Sequence, residues 1–463
     1  MPAPAAHPLD RLVDRLRSTL RSGTVVTTGA EYDAATHLWN GAVTARPGAV
    51  VRGAMPDDVG RAVVAAREAG VPVAVRGGGH DWAGRTLRHG GLTIDLSTER
   101  AVTVYPAARV AEVQAGATAG DVAAAAARHG LAPVTGTAGT VGLAGLTLGG
   151  GYGPLSGRFG LAADNLFSAD VVLADGSVVT ADAEHGPDLF WALRGGGGNF
   201  GVVTSMRVGL RAVPTLLSGL VVYPWAQART VLAGLAELLA EQPDELTVQT
   251  GVVAGPDGGP VVFASPTWSG DDADAGERAL ARLGTVGTPL VSQVAPATLP
   301  RMLAGIDAQF PAGRHVAIRT RSVPSLTPDV AEALVGAGDA LTSPLSAVSL
   351  HSLHGAATRI PVTETAFGLR DPHLMVEVIA TWEPGDALDA EHGAWADDVA
   401  DALEPHALPG GYPNLLGPDA VDQVAHAYGP NAARLLAVKE RFDPDCVFRA
   451  IPLPDGTAAE ARG

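Results

Sequence analysis

The sequence predicts an α+β protein. A glycine-rich first domain is followed by a second domain in which an antiparallel sheet is covered by helices, and a C-terminal tail returns to the first. Three observations carry this expectation. At 463 residues the chain is too long for one small core. Near its start, strand, helix and strand follow one another with short joins, the order of a small α/β unit. Beyond residue 214 the glycine runs stop, and alternating apolar runs are separated by helical patterns.

The elements follow in order. Leu9, Leu12, Val13, Leu16 and Leu20 keep helical spacing. "PGAVVRGA" gives a short strand, then a helix that Asp57 caps and Gly70 stops. The strand Val71 to Val75 leads into "VRGGGHDWAG" at 75–84, and "GGLTIDLS" at 90–97 is a further strand. Asp175-Gly176 between two apolar runs is a strong hairpin signal. "PDLFWALR" reads as a short helix and "GVVTSMRVGL" as a strand, which completes a first domain over 1–212. Pro214 marks the change of texture that opens the second domain, 213–410. There "GLVVYP", "VVFASPTW", "AVSLHSL" and "LMVEVIATW" alternate with helices such as Trp225 to Glu241. The tail, 411–463, carries a helix stopped by Asp443-Pro444.

Composition excludes several classes. A formal charge of −17 argues against general affinity for nucleic acid backbones. No apolar run reaches bilayer length, and the N-terminus lacks a basic start followed by an apolar stretch, so a cytoplasmic protein is expected. The single cysteine, Cys446, rules out an internal disulfide or a multi-cysteine metal site, and packing is its expected role. The thirteen histidines form no H-E-x-x-H pattern, so no metal is expected. Lys439 is the only lysine.

Three glycine runs need a reason: "RGGGH" (76–80), "TLGGGYG" (147–153) and "RGGGGNFG" (194–201). Each glycine inside a regular element costs roughly 0.5–1 kcal/mol of backbone entropy. Close approach of the backbone to a ligand, with free N–H groups forming a nest for phosphate, offsets that cost. Gly196, Gly198 and Gly201 match G-x-G-x-x-G, but the pattern follows a helix and enters a strand, the reverse of a dinucleotide-binding βα unit. Close packing explains one run. Three runs in one domain favour a large phosphate-bearing cofactor.

The order of these motifs resembles the berberine-bridge-enzyme-like FAD-linked oxidases of the vanillyl-alcohol-oxidase (PCMH) flavoprotein superfamily, and in particular the bacterial 6-hydroxynicotine-oxidase-like subgroup. "VAVRGGGHDWAG", "GTVGLAGLTLGGGYGPLSGRFGLAADNL", "PDLFWALRGGGGNFGVVT" and "YGPNAARLLAVKERFDPDCVF" carry the likeness across nearly the whole chain. The resemblance implies a PCMH-type FAD-binding domain. Arg76, Gly77, Gly78 and Gly79 would cradle the pyrophosphate, and His80 would bond the 8α-methyl carbon of FAD. The second loop would bind through Gly136, Thr137, Gly139, Thr140, Val141, Gly142 and Gly145, with Gly150, Gly151, Tyr152 and Asn165 further along it. Gly201, Val202 and Val203 would follow the third run. Many relatives add a cysteinyl link where this chain has Ala138, so a single covalent link is implied. Val141 matches the residue that governs oxygen access and is oxidase-like.

The resemblance also implies a proton acceptor on the second sheet, and Glu377 stands where several relatives carry a glutamate. As a strand, Met375, Glu377, Ile379 and Thr381 share one face. Apolar company would raise the pKa of the carboxyl, as a base working near neutral pH requires. A salt-bridged or edge-exposed glutamate is the alternative. His351 or His354 would line the pocket, and Trp82 stands where many relatives place a tyrosine near the substrate. Tyr412 and Asn414 resemble a tyrosine-x-asparagine segment at the flavin's pyrimidine edge, and Tyr428 and Asn431 would touch the cofactor from the tail. The function implied is hydride transfer from a C–H beside O or N of a small molecule, with molecular oxygen as the second substrate and hydrogen peroxide as product. A flavin-dependent oxygenase or cyclase on the same scaffold is the alternative, and a flavin-free binding protein is a third.

Overall fold

A computed structural model describes residues 8–213 and 216–454; Pro214, where the sequence changes texture, lies outside them. The described residues form three sheets. The first contains Thr24–Val26 (β1), Ala49–Arg52 (β2), Val73–Arg76 (β3) and Leu92–Asp95 (β4) in the order β1-β2-β4-β3. β4 pairs in parallel with both β2 and β3, so the connections cross over, and the helix Pro56–Glu68 makes the crossing from β2 to β3. The second is antiparallel: Val102–Tyr105 (β5), Val110–Gln114 (β6), Leu131–Pro133 (β7), Leu166–Val172 (β8), Val178–Ala181 (β9) and Val202–Ala212 (β10). Its order is β5-β6-β10-β8-β9, with β7 against the far end of β10.

The third sheet is antiparallel with seven strands: Leu216–Pro224 (β11), Leu246–Ala254 (β12), Pro260–Trp268 (β13), Val291–Ala297 (β14), His315–Val323 (β15), Ala347–Leu353 (β16) and His373–Trp382 (β17). Its order is β14-β11-β13-β12-β16-β17-β15. Side chains alternate between its faces. Val376, Val378 and Ala380 of β17 pack beneath the helices Ala228–Ala240, Pro328–Asp339 and Asp389–Leu403. Met375, Glu377 and Ile379 face the opposite way, into a large cavity against the first two sheets. The fold is the α+β arrangement expected, with helices covering one face of the last sheet.

The tail helix, Ala432–Phe442, packs Leu435 and Val438 into the core of the first two sheets. Its single lysine fixes it there. Lys439 Nζ is buried and donates to the carbonyls of Asn199 and Phe448, both at 2.7 Å, and to the Asp443 carboxylate.

Local departures have local causes. β3 begins at Val73 because Val71 still closes the preceding helix, its N–H donating to Ala66. Trp225–Gln227 forms a single 3₁₀ turn before the helix proper. The Asp175-Gly176 hairpin forms, but as a turn over Leu173–Gly176 in which Gly176 takes φ 84°. Cys446 does not pack: it is exposed, at φ 50°.

Asp57 does not cap its helix. Met55 holds the N-cap, with Pro56 at the first turn, and the neighbouring acid carries the structural role. Buried Asp58 accepts the N–H groups of Arg21 and Ser22 at 2.9 and 2.5 Å and the Ser22 hydroxyl at 2.6 Å. Burial would raise its pKa, but these bonds and the Arg61 guanidinium outweigh burial and bring it down to about 2. Asp58→Asn should lower stability at pH 7 by about 2 kcal/mol. Because the folded pKa is depressed, the stabilisation is complete above 3.8 and fades as pH falls toward about 2. Thermal melts of variant and wild type should therefore converge across that acid window, and a constant gap would contradict the assignment.

Candidate active site

A cavity of about 1210 Å³ lies between the glycine loops and the inner face of the third sheet. That exceeds the roughly 300–1,000 Å³ of an ordinary small-molecule pocket. Its floor is backbone. The loop after β3 and the loop before the helix Leu143–Leu148 touch through two glycines. A Cβ on Gly78 would lie 2.6 Å from the Gly142 Cα, and one on Gly142 would lie 2.9 Å from the Gly78 Cα. Neither partner is a side chain that could turn aside.

His80 stands at the end of the first loop. Its ring stacks on Trp39, with centroids 4.5 Å apart and planes 18° from parallel, and Nε2 meets the Thr140 hydroxyl at 3.1 Å. Burial pulls its pKa down to about 4 against the opposing pull of Asp307, so the imidazole is neutral at pH 7. A neutral imidazole has a free lone pair and is a competent nucleophile.

The facing wall is the third sheet, and its polar groups form a row. Gln249 on β12 donates to Ser349 Oγ at 2.7 Å. Ser349 on β16 lies 3.3 Å from His351 Nε2, which lies 3.2 Å from Glu377 Oε2 on β17. β17 sits between β16 and β15, so Glu377 is not at an edge, and its company is not wholly apolar. At one end of the cavity an aromatic cluster closes the wall. Tyr412 lies edge-on to Tyr152 at 5.1 Å, and the Tyr152 hydroxyl meets His373 Nε2 at 2.8 Å. The Tyr412 hydroxyl accepts from the Gly151 N–H and the Asn414 amide, both at 3.0 Å. Burial, reinforced by Glu377 and opposed by these donors, pushes its pKa up to about 12, so it stays a neutral phenol.

Comparison with known proteins gives this geometry a family. A model described as an FAD binding domain matches residues 47–182, and one described as "Berberine and berberine like" matches 411–451. The FAD-linked oxidoreductase aurO of Gibberella zeae is 32% identical over 430 residues, 91% of this chain and 83% of that protein. The (R)-6-hydroxynicotine oxidase of Paenarthrobacter nicotinovorans is 31% identical over 437 residues, 90% of this chain and 93% of its own. This chain belongs to the berberine-bridge-enzyme-like FAD-linked oxidoreductases. The crystal structure of 6-hydroxy-D-nicotine oxidase from Arthrobacter nicotinovorans superimposes with a TM-score of 0.86 at 29% identity, covering 94% of this chain and 98% of that one. As a member of this family the chain is an FAD-dependent oxidase.

The cavity of this berberine-bridge-like oxidase fits FAD. Beyond its own helix, no atom of the described residues lies within 4 Å of the point a Gly145 Cβ would occupy, which leaves that side of its backbone open to a ligand. Gly77 to His80, Trp82, Gly136, Thr137, Val141, Gly142 and Gly145 line the cavity, as do Tyr152, Gly201, Val202 and Val203. Ala138, Tyr412 and Asn414 line it too, with His351 and Glu377 opposite.

Most of the other expected site residues do not line the cavity. Arg76 turns behind its loop and donates to the carbonyls of Ala34 and His37. Gly139 and Thr140 lie off the cavity wall, bound to Asp307. Gly150 and Gly151 sit behind Tyr412. Asn165 closes its own loop, donating to Phe159 and Leu161 and accepting from Arg211. Asn431 donates to the carbonyls of Val362 and Thr365, and Tyr428 to Pro452. His354 packs beside Gly157, and burial pulls its pKa down to about 4. Trp82 reaches the cavity, but its indole N–H is committed to the Leu415 carbonyl at 3.0 Å. It has a packing face and no free polar group to offer.

Sequence reasoning missed Trp39, Asp307, Gln249 and Ser349. Period-two counting along β12 and β16 would have put the last two on the face of His351 and Glu377. Nothing local marks Trp39 or Asp307. Among the described residues no group of three or more His, Cys, Asp or Glu could hold a metal, and no helix is long and apolar enough to cross a membrane.

Proposed function

We propose that this oxidase removes two electrons from a small organic substrate at a C–H beside oxygen or nitrogen, with molecular oxygen as the final acceptor and hydrogen peroxide as product. Residues 1–212 with 411–463 would act as the FAD-binding domain, and 213–410 as the substrate domain. When bound, FAD supplies the hydride acceptor and the route to oxygen. The chain's own residues do the rest. His80, held neutral, bonds the cofactor, and Ala138 leaves no thiol for a second link. Glu377 takes the proton from the substrate's hydroxyl or amine, and His351 shares it. Tyr412, kept a neutral phenol, orients the substrate with its hydroxyl.

One observation carries this reading. A single polar row, Gln249 to Glu377, lies across the cavity from the glycine floor and His80. A base near the substrate's O–H or N–H is what such an oxidation needs. The test is a panel of alcohols, sugars and alkaloid-like amines. A true substrate should release peroxide in air and bleach the flavin absorbance when mixed anaerobically. Turnover without bleaching, or oxygen-18 from O₂ in the product, would replace this reading with ring closure or oxygenation.

A further inference from the structure

Asp307 lies on the helix Leu299–Gln309, between β14 and β15, yet its carboxylate serves the second glycine loop. Oδ1 accepts the N–H groups of Gly139 and Thr140 at 2.9 and 3.0 Å and the Thr140 hydroxyl at 3.0 Å. A hydroxyl has one proton, and the carboxylate takes this one. Toward His80 Nε2, 3.1 Å away, Thr140 Oγ1 can therefore only accept. A neutral imidazole facing an acceptor keeps its proton on that nitrogen, and the lone pair falls to Nδ1. Burial keeps the ring neutral, and Trp39 fixes its plane.

We propose that Asp307, acting through Thr140, is a positioning residue for flavin attachment: it fixes the His80 tautomer so that Nδ1 bonds the flavin's 8α carbon. The inference rests on covalent FAD at His80, the reading given above. In the attachment Nδ1 bonds the 8α carbon, which loses one hydrogen as a proton. Nε2 gives up its proton through Thr140 toward Asp307. The electron pair left by the broken C–H bond reduces the flavin, and oxygen takes that pair with two protons as hydrogen peroxide. Because Asp307 comes from the second half of the chain, this positioning is in place only once its helix has docked on the first half.

The test compares wild type, Thr140→Val, Thr140→Ser and Asp307→Ala, each purified from cells. The readouts are intact mass, FAD released by acid, and the imidazole nitrogen that carries the flavin in the digested peptide. Wild type and Thr140→Ser should gain one FAD less two hydrogens, attached at Nδ1. Thr140→Val and Asp307→Ala should still contain FAD, with a linked fraction roughly tenfold or more lower, by analogy with the loss seen when the outer partner of a metal-ligating histidine is removed. Thr140→Val keeps the Thr140 and Gly139 backbone N–H groups for Asp307, so it decides the matter if Asp307→Ala fails to fold. Full linkage in Thr140→Val, equal loss in Thr140→Ser, or attachment through Nε2 in wild type overturns the inference. Wild type that releases all its FAD to acid overturns the covalent reading instead.

Discussion

Glu377→Gln should lower kcat by two to four orders of magnitude, roughly what a positioned proton acceptor contributes, while FAD content stays at the wild-type level. The amide matches the carboxylate in shape and can still meet His351 Nε2, now 3.2 Å from Oε2. What disappears is the ability to take a proton. Stopped-flow reduction under anaerobic conditions isolates the step, because it reads substrate oxidation without the oxygen reaction. Reduction in the variant should be slow at every pH, and the limb that the base gives to the wild-type pH profile should vanish. If Glu377→Gln keeps more than about a tenth of the wild-type rate, well outside the range for such a group, Glu377 is only the ion-pair partner of His351.

The second large effect concerns the cavity floor. Gly78→Ala would press a methyl group into the Gly142 backbone, 2.6 Å from its Cα, and neither loop has a flexible side chain to yield. Overpacking of this kind costs about 1–3 kcal/mol, and relief requires the two loops to part. The purified variant should contain little or no FAD and should melt earlier. Gly145→Ala is the control with the opposite signature. Its methyl would meet nothing among the described residues within 4 Å beyond its own helix, so the protein should lose no more than about 0.5 kcal/mol of stability. Flavin absorbance should still fall, because the methyl would stand where the ligand approaches the backbone. Normal FAD content in Gly145→Ala would move the cofactor away from this stretch of the floor.

The parts legible in the sequence are those fixed by local periodicity. Alternation along "LMVEVIATW" was enough to put Met375, Glu377 and Ile379 on one face, and helical spacing in Leu12, Val13 and Leu16 was enough for the first helix. Glycine runs marked where one stretch of backbone passes close to another, as at Gly78 and Gly142. What could not be read is contact between distant segments. Asp307 reaches Thr140 across 167 residues, and Trp39 donates its indole N–H to Phe310 across 271. Side-chain direction misled in the same way. Asn165 and Asn431 have the polarity of cofactor ligands, but each amide is used up on nearby carbonyls. Asp57 and Asp58 differ by one position on a helix, and that rotation decides which of them meets Ser22. Berberine-bridge-like membership supplied the roles that periodicity alone leaves open.

The enclosed ammonium of Lys439 has a practical consequence. Apart from an α-amino group, it is the one primary amine in the chain, and two oxygens of the folded tail, on Asp443 and Phe448, surround it together with the Asn199 carbonyl of the third glycine run. Acylating reagents should therefore spare it while the C-terminal segment stays seated. Its modification over time would serve as a clock for how often that segment lets go, read at a single position with no competing signal from any other lysine.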